Sequence, residues 1–257
     1  MSNVSLRFTE LEKYGVWKDY RNNYPGGFGW RGDRALSNVE HLVIHHSVTT
    51  KTRNADNDIA KIAAEHIDVR KWGGIGYNIV ITSEERNGYA VVGYVGDMGS
   101  IRAHTPNLKG VFGIPARQGN VYLAGICIVG DFRDQTPSEA QLRSVHRVCH
   151  DLIYADGRFP KLKSWDNLRM HKDFDATACP GDFAAYRQLI IDPPKPEVAS
   201  LSEYESVLKA AKDWNEAVGA KYGEKILGRV DDSNLSRNDL LIALYRYTQY
   251  LRRSPVV

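Results

Sequence analysis

Cysteine is scarce in this chain. Its three copies among 257 residues, Cys127, Cys149 and Cys179, are too few and too scattered for a disulfide framework. Long apolar runs are missing as well, and none approaches the length a membrane-spanning helix needs. The opening stretch, MSNVSLRFTELEKYG, lacks the basic and apolar blocks of a secretory signal. Charge of one sign is not in excess: the formal net charge is +3, and Lys and Arg are dispersed. A nucleic-acid partner is therefore not expected. There is no internal repeat and no low-complexity tract. What remains, 42% hydrophobic and 25% charged, is the make-up of an ordinary globular protein with room for one full domain and a small appendage.

The sharpest break is DPPKPEVAS, residues 192–200, which reads as a semi-rigid Pro-rich linker. Before it, four short runs rich in Ile and Val read as strands: EHLVIHHSV, IGYNIVIT, GYAVVGYV and LAGICIVGDF. Between the first two, Ile59, Ile62, Ala63, His66 and Val69 recur at helical spacing over residues 55–70. A second helix is expected to open at Thr136, with Pro137 in its first turn and Glu139 completing a capping box. It carries Leu142, Val145, Cys149 and Leu152 on one face and ends near Gly157. The expected fold is α/β, a mixed central β-sheet flanked by helices over residues 38–191, with residues 1–37 packed on it as an N-terminal extension. After the linker, Ser202 with Glu205 and Ser236 with Asp239 start amphipathic helices, so residues 201–257 read as a small helical domain.

The densest chemistry is HKDFDATACPGD, residues 171–182. His171 and Cys179 are too far apart for one helix face and too close for separate elements, which suggests a bent segment folded around a metal ion. Cys179 lies in a polar loop, whereas Cys127 and Cys149 sit in apolar periodic segments and read as small buried hydrophobes. His and Cys are natural zinc donors, and three protein ligands with an open fourth position is a catalytic arrangement. A third donor is offered by HLVIHHSV. In a strand, neighbouring side chains face opposite ways. Leu42, Ile44 and His46 share the more apolar face, expected to pack on helices, which leaves His45 as the better ligand and His46 as a partly buried, hydrogen-bonded imidazole.

VIHHSVT, IGYNIVI, AGICIVGDF with the following TPSEAQL, and HKDFDATACPGD together resemble the type 2 N-acetylmuramoyl-L-alanine amidases. That fold is shared by phage and bacterial lysins and by animal peptidoglycan recognition proteins. The resemblance runs from about Val39 to Ile190 and leaves out the first 35 residues and the C-terminal helices. It implies a zinc site of His45, His171 and Cys179, in agreement with the strand-face argument. It further implies a catalytic Tyr77 and, two positions before the Cys, Thr177 in a place that some members fill with Lys and others with Thr. Asn78 departs from the His that many relatives carry, and the expected effect is on the groove wall rather than the metal. The implied reaction is zinc-assisted hydrolysis of the amide between N-acetylmuramic acid and L-alanine of bacterial peptidoglycan. The general base is left open. A binder without activity on the same fold, or a cytoplasmic wall-recycling amidase, are the alternatives.

Other polar residues carry plainer expectations. His66 is either a satisfied buried histidine or a groove residue, His104 has a structural role, and His146 is solvent-exposed. Asp173 and Asp175 shape the loop rather than bind metal. In the C-terminal helices charges nearly cancel, so Trp214, Tyr222 and Tyr250 are candidates for sugar contact, or else fill a small core. A C-terminal module without an export signal suggests a phage endolysin, monomeric, made in host cytoplasm and released to the wall without inserting in the membrane.

Overall fold

Six strands form one mixed sheet: β1 (Trp17–Asp19), β2 (His41–His46), β3 (Ile79–Arg86), β4 (Tyr89–Tyr94), β5 (Leu123–Ile128) and β6 (Leu168–Met170), in the order β1-β4-β3-β5-β2-β6. The computed structural model describes residues 3–181 and 187–194, all within the first of the two units into which the chain divides, residues 1–195. Most of the expected linker, and the expected helical domain with Trp214, Tyr222 and Tyr250, lie outside the described residues.

The four apolar runs are β2 to β5. Only β3 and β4 are antiparallel; β5 runs parallel to β3, and β2 lies parallel between β5 and β6. Because β5, β2 and β6 point the same way, their C-terminal ends lie together, and open parallel sheets place ligand sites at such ends. β1 and β6 are three residues each, too short to show a period, and neither was expected.

Burial on both faces explains the continuous apolar runs. The described helices include α1 (Thr9–Lys13), α2 (Ala55–Ala63), α3 (Gly119–Tyr122) and α4 (Glu139–His150). Helix α4 packs on β4 and β3, and its Leu142, Val145, Val148 and Cys149 share one buried cluster with Leu42, Ile44, Ile126 and Ile128 on that face. Helix α2 (Ala55–Ala63) covers the other, setting Ile59 and Ile62 beside Val80 and Cys127. Phe8, Leu11 and Val16 join the α4 side, and β1 pairs with β4, so the stretch from Phe8 to Asp19 is built onto the core.

Two helix details differ from expectation. The N-cap of α4 is Ser138, with Gln141 as its reciprocal partner, not Thr136 with Glu139. The reason is that the Gln141 amide also donates to the carbonyls of Thr82 (3.2 Å) and Val129 (2.9 Å), which anchors the helix start to the sheet. After α2 the chain widens into a π-helical turn over Ala64–Val69, which shifts the helical phase and leaves Val69 67% exposed. No helix of the described residues is long and apolar enough to cross a membrane.

Candidate metal centre

His45 stands near the end of β2, opposite Cys127 of β5, and His171 follows β6 directly. The segment after His171 turns back so that the Lys172 N–H donates to the Cys179 carbonyl at 3.0 Å. Ligand atoms of His45, His171 and Cys179 then all lie within 4.8 Å of one another. These are the three residues singled out in the sequence, drawn from two strand ends and a loop.

Each donor is held from behind. His45 Nδ1 is 3.7 Å from Cys179 Sγ, while Nε2 of the same ring is 3.1 Å from His104 Nδ1 and 3.2 Å from Thr105 Oγ1. His171 Nε2 lies 3.5 Å from Asp175 Oδ2, and its Nδ1 is a buried nitrogen with no hydrogen-bond partner among the described residues. Cys179 Sγ accepts from the His46 N–H at 3.4 Å. An orphaned imidazole nitrogen, a second imidazole turned toward a thiol, and that thiol make a donor set suited to zinc. The electrostatics agree. Burial, and then the His171 and His104 rings, hold His45 well below its ordinary pKa, so the ring is neutral, the form in which an imidazole can bind a metal. Burial pushes the Cys179 thiol up to about 11, against the pull of the His46 N–H. A cation at the sulfur would reverse that shift.

His46 faces the α4 side, buried, with its Nδ1 accepting from the Phe132 N–H at 3.2 Å. Tyr77 ends the approach to β3 and lies two residues before the strand begins, not in it. Its ring centroid is 5.1 Å from that of His45 and 5.3 Å from that of His66. Burial and the Cys127 and Cys179 thiols raise its hydroxyl pKa well above 10. Thr177 is half-buried, and its Oγ1 accepts from the Cys179 N–H at 3.1 Å, which leaves the hydroxyl proton free to point elsewhere.

Other expectations resolve differently. Asn78 is no groove wall: it is fully buried, its Nδ2 donates to the carbonyls of Gly96 and Asp97, and its Oδ1 accepts from the Gly125 N–H. It ties the start of β3 to β5 and to the turn after β4. His146 is half-buried rather than solvent-exposed, because the Ile190 carbonyl 2.7 Å from its Nδ1 and the stacked Trp165 ring cover it. His66 is a buried histidine whose Nδ1 accepts from the Gly76 N–H at 3.1 Å; burial brings its pKa down to about 4. Asp173 accepts from the Met170 N–H at 2.8 Å, and Asp175 from those of Asn107 and Leu108, so both do shape loops. The sequence reading missed the Asp175 contact with His171, for which spacing of i,i+4 was the available signal. It also missed Cys127 as a neighbour of the Tyr77 hydroxyl, which no local pattern announces.

Among solved structures, the complex of the peptidoglycan recognition protein ectodomains LCa and LCx bound to tracheal cytotoxin is similar over 69% of this chain and 96% of that one, at 23% identity and TM-score 0.51. An endolysin amidase, LysCS from Clostridium intestinale, matches 65% of this chain and 87% of its own at 22% identity and TM-score 0.46. The Ph2119 endolysin from a Thermus scotoductus bacteriophage matches 65% and 92% at 20% identity and TM-score 0.46. No curated protein is detectably similar in sequence. The model of the N-acetylmuramoyl-L-alanine amidase family matches residues 35–182, a stretch that holds all six strands but β1 and all three donors. That stretch is more than half of the 257 residues, and the chain belongs to the N-acetylmuramoyl-L-alanine amidase family.

Proposed function

We propose that this protein is a peptidoglycan hydrolase that cuts the amide between N-acetylmuramic acid and the L-alanine of the stem peptide, with zinc held by His45, His171 and Cys179. The observation that carries the reading is the clustering of those three donors, one of them with an unpartnered buried nitrogen, inside the stretch matched by the family. A zinc ion there supplies a Lewis acid for the scissile carbonyl and a water acidic enough to be nucleophilic near neutral pH.

The chain's own groups supply the rest. Tyr77, kept protonated by its raised pKa, donates a hydrogen bond toward the carbonyl oxygen as negative charge develops on it. Thr177 holds the Cys179 N–H with its oxygen and has its own proton to offer the same oxyanion. One such donor is typically worth about 3 kcal/mol in the transition state. His45, through His104, and His171, beside Asp175, each have the far nitrogen next to a polar partner that orients the ring before substrate enters. In the cell we place the enzyme as an endolysin acting on the wall from within its host.

Digestion of purified cell walls, followed by end-group analysis, tests this. New N-terminal alanine without new reducing sugar ends is the expected result; new reducing ends would mean a glycosidase. Cys179→Ser separates enzyme from mere binder. A serine hydroxyl stays protonated and coordinates zinc weakly, so hydrolysis and bound zinc should disappear while affinity for a muramyl peptide persists. Wild-type turnover in that variant would remove Cys179 from the donor set.

A further inference from the structure

We infer that His104 is a positioning residue for the metal centre: it fixes the proton of His45 on Nε2, so that Nδ1 is the nitrogen presented to the ion. This rests on the reading of His45 as a metal ligand. It goes beyond that reading by adding a residue that the donor set does not contain.

The argument runs inward from the backbone. His104 Nε2 is 3.1 Å from the Leu123 carbonyl oxygen. A carbonyl only accepts, so His104 carries its proton on Nε2 and exposes a lone pair on Nδ1. That lone pair is 3.1 Å from His45 Nε2. Two lone pairs at that distance repel, whereas a proton on His45 Nε2 makes a hydrogen bond. The Thr105 hydroxyl fits either branch of the same pattern, accepting from His45 Nε2 at 3.2 Å and donating to His104 Nδ1 at 2.9 Å. A neutral imidazole with its proton on Nε2 has its lone pair on Nδ1, and His45 Nδ1 is the atom that faces Cys179 Sγ.

The relay is rigidly mounted. The Asn120 side-chain oxygen accepts from the N–H groups of both His104 and Thr105, each at 2.9 Å. The buried Arg34 guanidinium also donates to the Leu123 carbonyl, which fixes the acceptor at the far end. Gly125 makes the room: a Cβ there would stand 2.8 Å from Cγ of the His104 ring and 3.0 Å from its Nδ1. Metal-binding histidines usually donate their second N–H straight to a carbonyl or carboxylate. Here a second imidazole is interposed, and it carries the directionality of the Leu123 carbonyl through one ring into the next.

The test uses the full chain and two readouts besides activity. Zinc affinity is measured by competition with a chromophoric chelator for wild type, His104→Phe and His104→Gln. Gln can accept from His45 with its oxygen and donate to Leu123 with its nitrogen; Phe fills the space and does neither. The Phe variant should lose about 10–100-fold in zinc affinity, and Gln should restore most of it. A folded Phe variant that binds zinc as tightly as wild type would overturn the inference and leave the donor set standing. Wild type that binds no zinc would overturn the donor set itself, and this inference with it. Should the Phe variant not fold, nitrogen-15 spectra of the zinc-loaded wild type decide the matter. Protons on Nε2 of both His45 and His104 are expected, and a proton on Nδ1 of either ring refutes the relay.

Discussion

Asp175 Oδ2 lies 3.5 Å from His171 Nε2, and the same carboxylate accepts from the N–H groups of Asn107 at 3.2 Å and Leu108 at 2.8 Å. One side chain thus joins the ring just after β6 to a loop nearly seventy residues earlier. It sets which nitrogen of His171 is left over, and it pins the backbone beside the site. Asp175→Ala should therefore weaken zinc binding about 10–100-fold and free the loop together. Chelator competition measures the first effect and amide exchange at Leu108 the second; tight zinc with an exchanging Leu108 would show that the carboxylate serves the loop alone.

The pH dependence of stability should carry the mark of His66. Its folded pKa is about 4, pushed down first by burial and then by Arg70, against 6.5 for the free side chain. The unfolded chain therefore binds a proton at higher pH than the native one. Stability from this group is fully present above pH 6.5 and is lost as pH falls toward 4, by up to about 1.4 kcal/mol per unit. His66→Gln can keep the bond from the Gly76 N–H without titrating. Denaturant titrations across that window should show a slope shallower by about one proton in the variant; an unchanged slope would mean that His66 charges within the fold at no cost.

Gln141 does two jobs, and its loss should exceed that of the cap alone. Ser138→Ala removes one side-chain bond at the start of α4 and should cost about 1 kcal/mol. Gln141→Ala also strips the Thr82 and Val129 carbonyls of a donor, and about 2–4 kcal/mol is expected. Chemical denaturation of the two variants compares them directly, and equal losses would show that the sheet anchor contributes nothing.

Gly125→Ala should be costly for so small a change. The new methyl would crowd the His104 ring, which cannot retreat without breaking its bonds to Leu123 and His45. A loss of about 1–3 kcal/mol is expected from overpacking. The variant's thermal midpoint checks it; a midpoint at or above wild type would show that the ring has room to move.

The sequence announces its long strands and its donors, and hides what supports them. β2 to β5 are legible because burial on both faces demands unbroken Ile and Val. β1 and β6 are not, because three residues carry no period. His171 and Cys179 stand out for their density in one loop, and His45 follows from strand alternation. By contrast, Asn78, His104 and His146 are defined by partners that no local window contains: Gly125 and Asp97, His45 and Leu123, Ile190 and Trp165. Thr136 and Ser138 each have a plausible partner three residues on. Only the sheet carbonyls within reach of Gln141 decide between them.

The parallel placement of β2 between β5 and β6 has a bearing on time. His45 and Cys179 are separated by 134 positions along the chain, and a closure of that length costs on the order of 4 kcal/mol in chain entropy before any contact repays it. During synthesis His45 emerges long before either of its co-donors, and the small strand that delivers His171 can add to the sheet only after β2 is in place. Topologies with such distant pairings are slow to assemble. On the proposed donor set, an ion would therefore be captured late in folding, once β6 has docked, and its uptake would time that step.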